Sequence, residues 1–319
     1  MLSASRPLAF AVVWTGLVAA QSPTLPAPLG LDEYVAVPDD NPITAAKVTL
    51  GERLFFDAAL SADGRVSCAS CHNPARGFTS ATRVAAGVFG RKGLRNVPTI
   101  LNRAYGQTFF WDGRAATLEE QVLEPFQNPR EMGLELSTVT KRLQLSDSYR
   151  REFAEVFGAP PSAAFAARAL ATYVRVQRVG DSRYDRYRAG DISALSPEAI
   201  RGLNLFRGRA TCSSCHSGPN FTDEQFHNTG VSWGSADSGR YSVTLRSEDR
   251  GRFKTPTIRQ LRLTNPYMHD GSLETLEEVI EFYDRGGTRN PWLDADIRPL
   301  GLSAEHKREL IAFLLTLSS

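Results

Sequence analysis

The run Cys68-Ala69-Ser70-Cys71-His72 and its counterpart Cys212-Ser213-Ser214-Cys215-His216 decide how this 319-residue chain is read, because together they use all four of its cysteines. Each is a Cys-X-X-Cys-His sequence, the pattern by which a c-type haem is attached. The spacing has a chemical reason. Two thiols about one helical turn apart reach the two vinyl groups of one porphyrin, and the next residue places an imidazole on the iron. The thiols could instead gather into one zinc site from two knuckles, or form disulfides in an oxidising compartment. Neither use accounts for a His directly after both pairs in a chain with only five His. The sequence therefore predicts two covalently bound haem c groups. Cys68, Cys71, Cys212 and Cys215 attach them, and His72 and His216 bind their irons.

Outward from these motifs the sequence repeats itself. Pro98-Thr99-Ile100 matches Pro256-Thr257-Ile258, Asp112-Gly113 matches Asp270-Gly271, and Thr117-Leu118-Glu119-Glu120 matches Thr275-Leu276-Glu277-Glu278. Before the haem motifs, Gly51–Phe55 (GERLF) resembles Gly202–Phe206 (GLNLF). A repeat of this length means two related domains rather than a solenoid of short units. The pattern is mostly helical. Ser196-Pro197-Glu198 is a helix start, with a capping Ser and Pro at the first helical position. Ser162 and Ser303 begin two more, the latter carrying Leu310, Ile311, Leu314 and Leu317 on one face. The expected fold class is mostly α, with two cytochrome c-like domains at residues 41–185 and 186–319. The polar stretch Asp181 to Ala194 reads as their linker, and residues 231–252 as a surface loop.

Composition is that of a soluble globular protein, 42% hydrophobic and 23% charged. A formal charge of +2, with no long run of Lys and Arg, gives no reason to expect nucleic acid as a partner. Residues 1–20 read as a cleavable signal peptide, with Arg6 before the apolar run Leu8 to Ala20 and small residues at Val18-Ala19-Ala20. That run is short of the roughly 20 residues needed to span a bilayer, and no later stretch could span one. The mature protein is expected to begin at Gln21, lie in the periplasm, and open with an extended Pro-rich arm over residues 21–40.

With Phe110-Trp111-Asp112-Gly113-Arg114 and Pro266-Tyr267-Met268-His269-Asp270-Gly271 added to the haem motifs, the chain resembles the bacterial di-haem cytochrome c peroxidases and their relative, the methylamine-utilisation protein MauG. The resemblance covers about residues 40–319. It implies that the N-terminal haem is the peroxide site and the C-terminal haem relays electrons. It also implies that Glu131 moves protons at the peroxide site and that Gln121 and Pro125 line the same pocket. Trp111 falls on the tryptophan between the haems, and Asn96, Thr264 and Pro266 fall on an inter-haem calcium site. Taken without the resemblance, Glu131 reads as a solvated loop carboxylate and Trp111 as a packed aromatic.

Two departures sharpen this reading. The His with which many of these peroxidases block the oxidised N-terminal haem is replaced by Val88, so that haem is expected to rest open. The resemblance also places a Met on the C-terminal iron in the peroxidases, where this chain has Tyr283, as MauG does. A phenolate favours ferric iron and lowers the potential, whereas Met raises it. Tyr283 also has the helical spacing of a core residue with Leu276, Val279 and Ile280, and Met268 and His269 are rival ligands. Three functions compete. One is a peroxidase that takes electrons from a small cytochrome c or copper protein to reduce hydrogen peroxide. Another is a MauG-like oxidase acting on residues of a protein substrate. The third is a non-catalytic di-haem electron carrier, for which Met132 would close the first iron. The resemblance also leaves room for a homodimer.

Overall fold

The computed structural model describes residues 26–231 and 233–319, so the expected signal peptide and the first residues of the arm lie outside the described residues. In chain order the helices are α1 (Ala45–Phe56), α2 (Cys68–Cys71), α3 (Leu118–Gln121), α4 (Glu124–Gln127), α5 (Leu136–Leu145), α6 (Asp147–Phe157), α7 (Ala163–Val176), α8 (Arg183–Arg188), α9 (Pro197–Arg207), α10 (Tyr241–Thr244), α11 (Leu276–Asp284) and α12 (Ala304–Leu314). Two short strands, β1 (Phe226–His227) and β2 (Phe253–Lys254), pair antiparallel. The helices begin where the sequence places their caps. Ser162 Oγ accepts from Phe165 N at 3.1 Å and Ser196 Oγ from Ala199 N at 3.2 Å. Thr117 with Glu120 and Thr275 with Glu278 form matching capping boxes at the starts of α3 and α11.

Two hydrophobic cores form. The first gathers Leu50, Leu54 and Phe55 of α1 with Leu143, Phe153 and Leu170, and Cys68 packs against it. The second gathers Leu203 and Phe206 of α9 with Ile280, Leu310 and Phe313, and Cys212 packs against it. Each fully buried side chain of this kind contributes about 1.5–3 kcal/mol. Both cores are built on a helix pair that crosses backbone to backbone. A Cβ at Gly51 would stand 2.1 Å from the carbonyl oxygen of Ala169 in α7, and one at Gly202 would stand 1.8 Å from that of Glu309 in α12. This is the physical content of the GERLF and GLNLF similarity. The phenylalanine at its end does the same work twice: Phe55 meets Phe78 and Tyr173 at 6.0 and 5.0 Å, and Phe206 meets Phe221 and Phe313 at 6.2 and 5.1 Å.

The 181–194 stretch, expected as a linker, carries the docked helix α8. Its Tyr184 and Tyr187 pack on the second core, and its Asp185 forms a fully buried bidentate pair with Arg259 at 2.7 and 2.8 Å. A polar sequence thus conceals a helix held by one distant cation. The described part of the arm has no helix or strand. It is fastened by Asp181 N to Leu29 O (2.8 Å), Tyr105 Oη to Asp32 O (2.9 Å) and Arg259 Nη2 to Gly30 O (3.1 Å). The described 233–252 part of the expected surface loop carries helix α10 and lies against the first half through Arg95, whose guanidinium grips Asp237 at 2.7 and 2.8 Å.

Gly51→Ala and Gly202→Ala are each expected to lower unfolding stability by roughly 1–3 kcal/mol through overpacking. Gly93→Ala, where the nearest atom is 3.6 Å away, is expected to leave it unchanged. Urea unfolding of the three haem-loaded variants checks this.

Candidate active site

One cavity of about 1110 Å³ runs between the cores, larger than the roughly 300–1,000 Å³ of an ordinary small-molecule pocket. From the first half its wall carries Cys71, His72, Gln121, Pro125 and Glu131; from the second, Cys212, Cys215, His216 and Tyr283. Trp111, Asn96, Thr264, Pro266, Met268 and His269 line it as well. Residues predicted from sequence to carry the chemistry thus share one space, except Cys68, which is turned toward the first core.

The donor set fits haem c. All four cysteines are free thiols, and among the described residues they do not gather into one metal-binding cluster. Each motif histidine is oriented the same way. His72 Nδ1 donates to Phe78 O at 3.0 Å, and His216 Nδ1 donates to Phe221 O at 3.1 Å. That bond fixes the tautomer and leaves Nε2 available as a metal ligand. Burial pulls both imidazoles below the usual histidine range, so both stay neutral, as iron requires.

Glu131 stands on the loop after α4. Asn128 Nδ2 donates to its Oε1 at 2.7 Å. Burial raises its carboxyl above the usual range, with Arg114 and the Asn128 bond partly offsetting the rise. It is therefore not a solvated loop carboxylate. The loop is shaped from beneath by the segment around Val88, whose N–H donates to Glu131 O at 2.8 Å. Val88 is fully buried and belongs to the first core. Gly87 has no room for a Cβ, which would lie 2.1 Å from Arg130 O. Val88 thus lies under the Glu131 loop with its side chain in the first core. Met132 is likewise buried in the first core.

Trp111 lies at the junction of the halves, on an internal two-fold relation. Asn96 N donates to His269 O, and at the same offset in the repeat Lys254 N donates to Trp111 O, both at 2.8 Å. Repeat mates touch each other here: Trp111 and His269 rings meet edge-on at 6.4 Å, and the Arg95 guanidinium lies 5.4 Å from the Phe253 ring. The Trp111 indole donates to Asn96 O at 2.9 Å. His269 is stacked on Phe253 at 3.4 Å, and burial pulls it down to about 4. Tyr283, on α11, is pushed up to about 12 by burial, with Thr229 hydrogen-bonded to it and the Cys212 and Cys215 thiols near enough to raise it further. Its ring faces the second motif rather than the apolar core.

Residues 45–193 match the di-haem cytochrome c peroxidase family. The chain is 42% identical over 291 residues to the methylamine utilization protein MauG of Methylorubrum extorquens, covering 90% of this chain and 82% of that protein. It belongs to the di-haem cytochrome c peroxidase and MauG family. Within that family it is also 37% identical over 344 aligned positions to cytochrome-c peroxidase IdrP1 of Denitromonas iodatirespirans, covering 98% of this chain and 92% of that protein. Among solved structures, a MauG-like protein associated with microbial copper homeostasis superposes with a TM-score of 0.84 at 33% identity, over 97% of this chain and 96% of that one. The chain is accordingly an oxidoreductase of the di-haem peroxidase type, with haem c as its cofactor.

Sequence reasoning missed three polar groups beside this space. Arg95 bridges Asp112 and Asp237. Lys254 is buried next to Glu224 and Arg103. His227 is clamped between Asp294 and Asp223, and the Asp294 bond is the main cause that raises it to about 11. None lies in a motif, and each has at least one defining partner distant in sequence.

A carboxyl whose folded-state pKa is raised contributes stability below its unfolded pKa and loses it as pH rises through the folded value. Glu131→Gln is therefore expected to raise the melting temperature at pH 7, and the difference is expected to close near pH 4. Calorimetry at the two pH values checks the sign.

Proposed function

We propose that the protein is a periplasmic peroxidase with two haem c groups, which reduces hydrogen peroxide to water with electrons from a small cytochrome c or copper protein. In this reading Cys68, Cys71 and His72 hold the peroxide-site haem, and Cys212, Cys215 and His216 hold the haem that relays electrons. The observation that carries the reading is Glu131. It is a half-buried carboxyl, raised above the usual range, that lines the same cavity as His72, and the segment that could have blocked that site has Val88 turned into the core. Export rests on the pattern of residues 1–20; among the described residues no helix is long and apolar enough to cross a membrane.

Held by Cys68, Cys71 and His72, a haem would supply the redox chemistry for peroxide reduction at this site. Glu131 performs the proton work. As a carboxylate it takes the proton from the near peroxide oxygen and returns it to the far one, which then leaves as water. The overall balance is one peroxide, two protons and two electrons giving two waters. Asn128 holds Oε1, so Oε2 is the oxygen that meets the proton. Gln121 and Pro125 bound the space around it. Trp111, held from both halves, carries oxidising equivalents between the sites. Asn96, whose Nδ2 is committed to Arg83 O at 3.2 Å, offers its Oδ1 to a calcium ion together with Thr264 and Pro266, a donor set of the kind hard cations take.

A second reading, a MauG-like oxidase that withdraws electrons from residues of a partner protein, is supported by Tyr283 facing the second motif and by the 42% identity to a MauG. Turnover with a reduced small cytochrome separates the two: sustained rapid turnover supports the peroxidase, and slow turnover supports the oxidase.

Glu131→Gln is expected to lower kcat/KM for peroxide by about 10²–10⁴-fold. In the wild type kcat/KM is expected to fall with decreasing pH through a value above the ordinary carboxylate range of about 4.3, and this limb is expected to vanish in the variant. Stopped-flow kinetics over pH reads both. Tyr283→Met is expected to raise the midpoint potential of the C-terminal haem, whereas a merely packed ring predicts no change in potential for Tyr283→Phe.

A further inference from the structure

Across the internal two-fold relation, Lys254 is the mate of Asn96, and Gly106 and Thr108 are the mates of Thr264 and Pro266. The two sides differ in what they present. One offers oxygens, the set assigned above to calcium. The other carries its own cations. Lys254 is buried, at 7% exposure, on the cavity wall. Arg103 reaches the same place, with Nη2 on Thr108 O at 2.8 Å.

Negative charge on this side is scarce. Lys254 Nζ has Thr255 O at 3.2 Å and Glu224 Oε1 at 3.5 Å. Glu224 is already engaged by Arg103 at 2.8 and 3.1 Å and by Gln107 N at 3.2 Å. An ammonium has three donors; Glu224 is shared with Arg103, and Asp223, whose charge also reaches Lys254, is engaged by His227, so no carboxylate belongs to Lys254 alone. Burial first, and the charge of Arg103 second, pull Lys254 down to about 7. A buried ammonium so placed fits an anion arriving from the cavity. Haem brings such anions in its two propionate carboxylates. Lys254 also belongs to the frame of the second motif: the next carbonyl, Thr255 O, accepts from Thr222 Oγ1 at 2.7 Å, and the following residue, Pro256, has its backbone against His216.

We propose that Lys254 seats a carboxylate of the haem carried by the C-terminal motif, and that its main-chain bond to Trp111 ties this charge to the residue between the two haem sites. The proposal rests on the two-haem reading above. Lys254 is thus a binding residue for the haem and a positioning residue for Trp111. A fixed positive charge beside a haem favours the ferrous state, so its removal lowers the potential.

The test is a spectroelectrochemical titration of the haem-loaded protein, with haem content measured as the pyridine haemochrome. Lys254→Met, similar in length and uncharged, is expected to move at least one reduction wave to lower potential, and Lys254→Arg is expected to keep the wild-type waves. If Lys254→Met fails to retain haem, Lys254→Gln, polar but neutral, is expected to give the same downward shift. Waves unmoved in a neutral variant with two haems per chain would overturn the proposal, as would an equal shift in Lys254→Arg, which would make packing the cause. A wild-type protein with fewer than two haems would instead overturn the two-haem reading, and the proposal with it.

Discussion

Two main-chain hydrogen bonds, Asn96 N to His269 O and Lys254 N to Trp111 O, hold the halves of this molecule face to face, and the site depends on them. Each joins a residue just before a Pro-Thr-Ile run to the residue before an Asp-Gly turn in the opposite half. A buried amide that loses such a partner costs about 1–3 kcal/mol, so neither half can slide without a penalty. The same bonds set the height of Trp111 in the wall, and the indole bond to Asn96 O then sets its rotation. A local two-fold relation turns one sequence element, used twice, into a single cavity with a tryptophan in its wall.

Charge is managed differently along that cavity. At the motifs the imidazoles are neutral, because burial disfavours the proton and a carbonyl holds Nδ1. At Glu131 burial works the other way and keeps a carboxyl ready to hold a proton. Tyr283, pushed up to about 12, could serve an iron only as a phenolate, its proton released and its negative charge compensated by the metal. The junction itself is dense in ions, with Arg95, Asp112 and Asp237 on one side and Arg103, Glu224 and Lys254 on the other. The chemistry assigned to each end thus follows from which charge state its surroundings tolerate.

The parts of this arrangement that sequence made legible are those written in local pattern. The Cys-X-X-Cys-His motifs mark the two imidazoles that line one cavity, the Thr-Leu-Glu-Glu repeat falls on the starts of α3 and α11, and GERLF with GLNLF marks the two glycine crossings. Helix α8 begins at a local Ser182–Asp185 capping box, but what docks it, the Asp185–Arg259 pair and the packing of Tyr184 and Tyr187 on the second core, involves residues far apart in the chain. Lys254 was hidden for the same reason: its meaning comes from Glu224 and Arg103, not from its neighbours. Val88 was legible as an absence of histidine, but its support of the Glu131 loop emerges only when residues 86–91 are seen against 128–133.

The central claim is that Glu131 serves an iron site left open at His72. An electron paramagnetic resonance spectrum of the fully oxidised protein tests it most directly. The account predicts one high-spin ferric signal from the open site beside one low-spin signal from the second haem. Two low-spin signals would contradict it, since a protein ligand would then be closing the site where peroxide must bind.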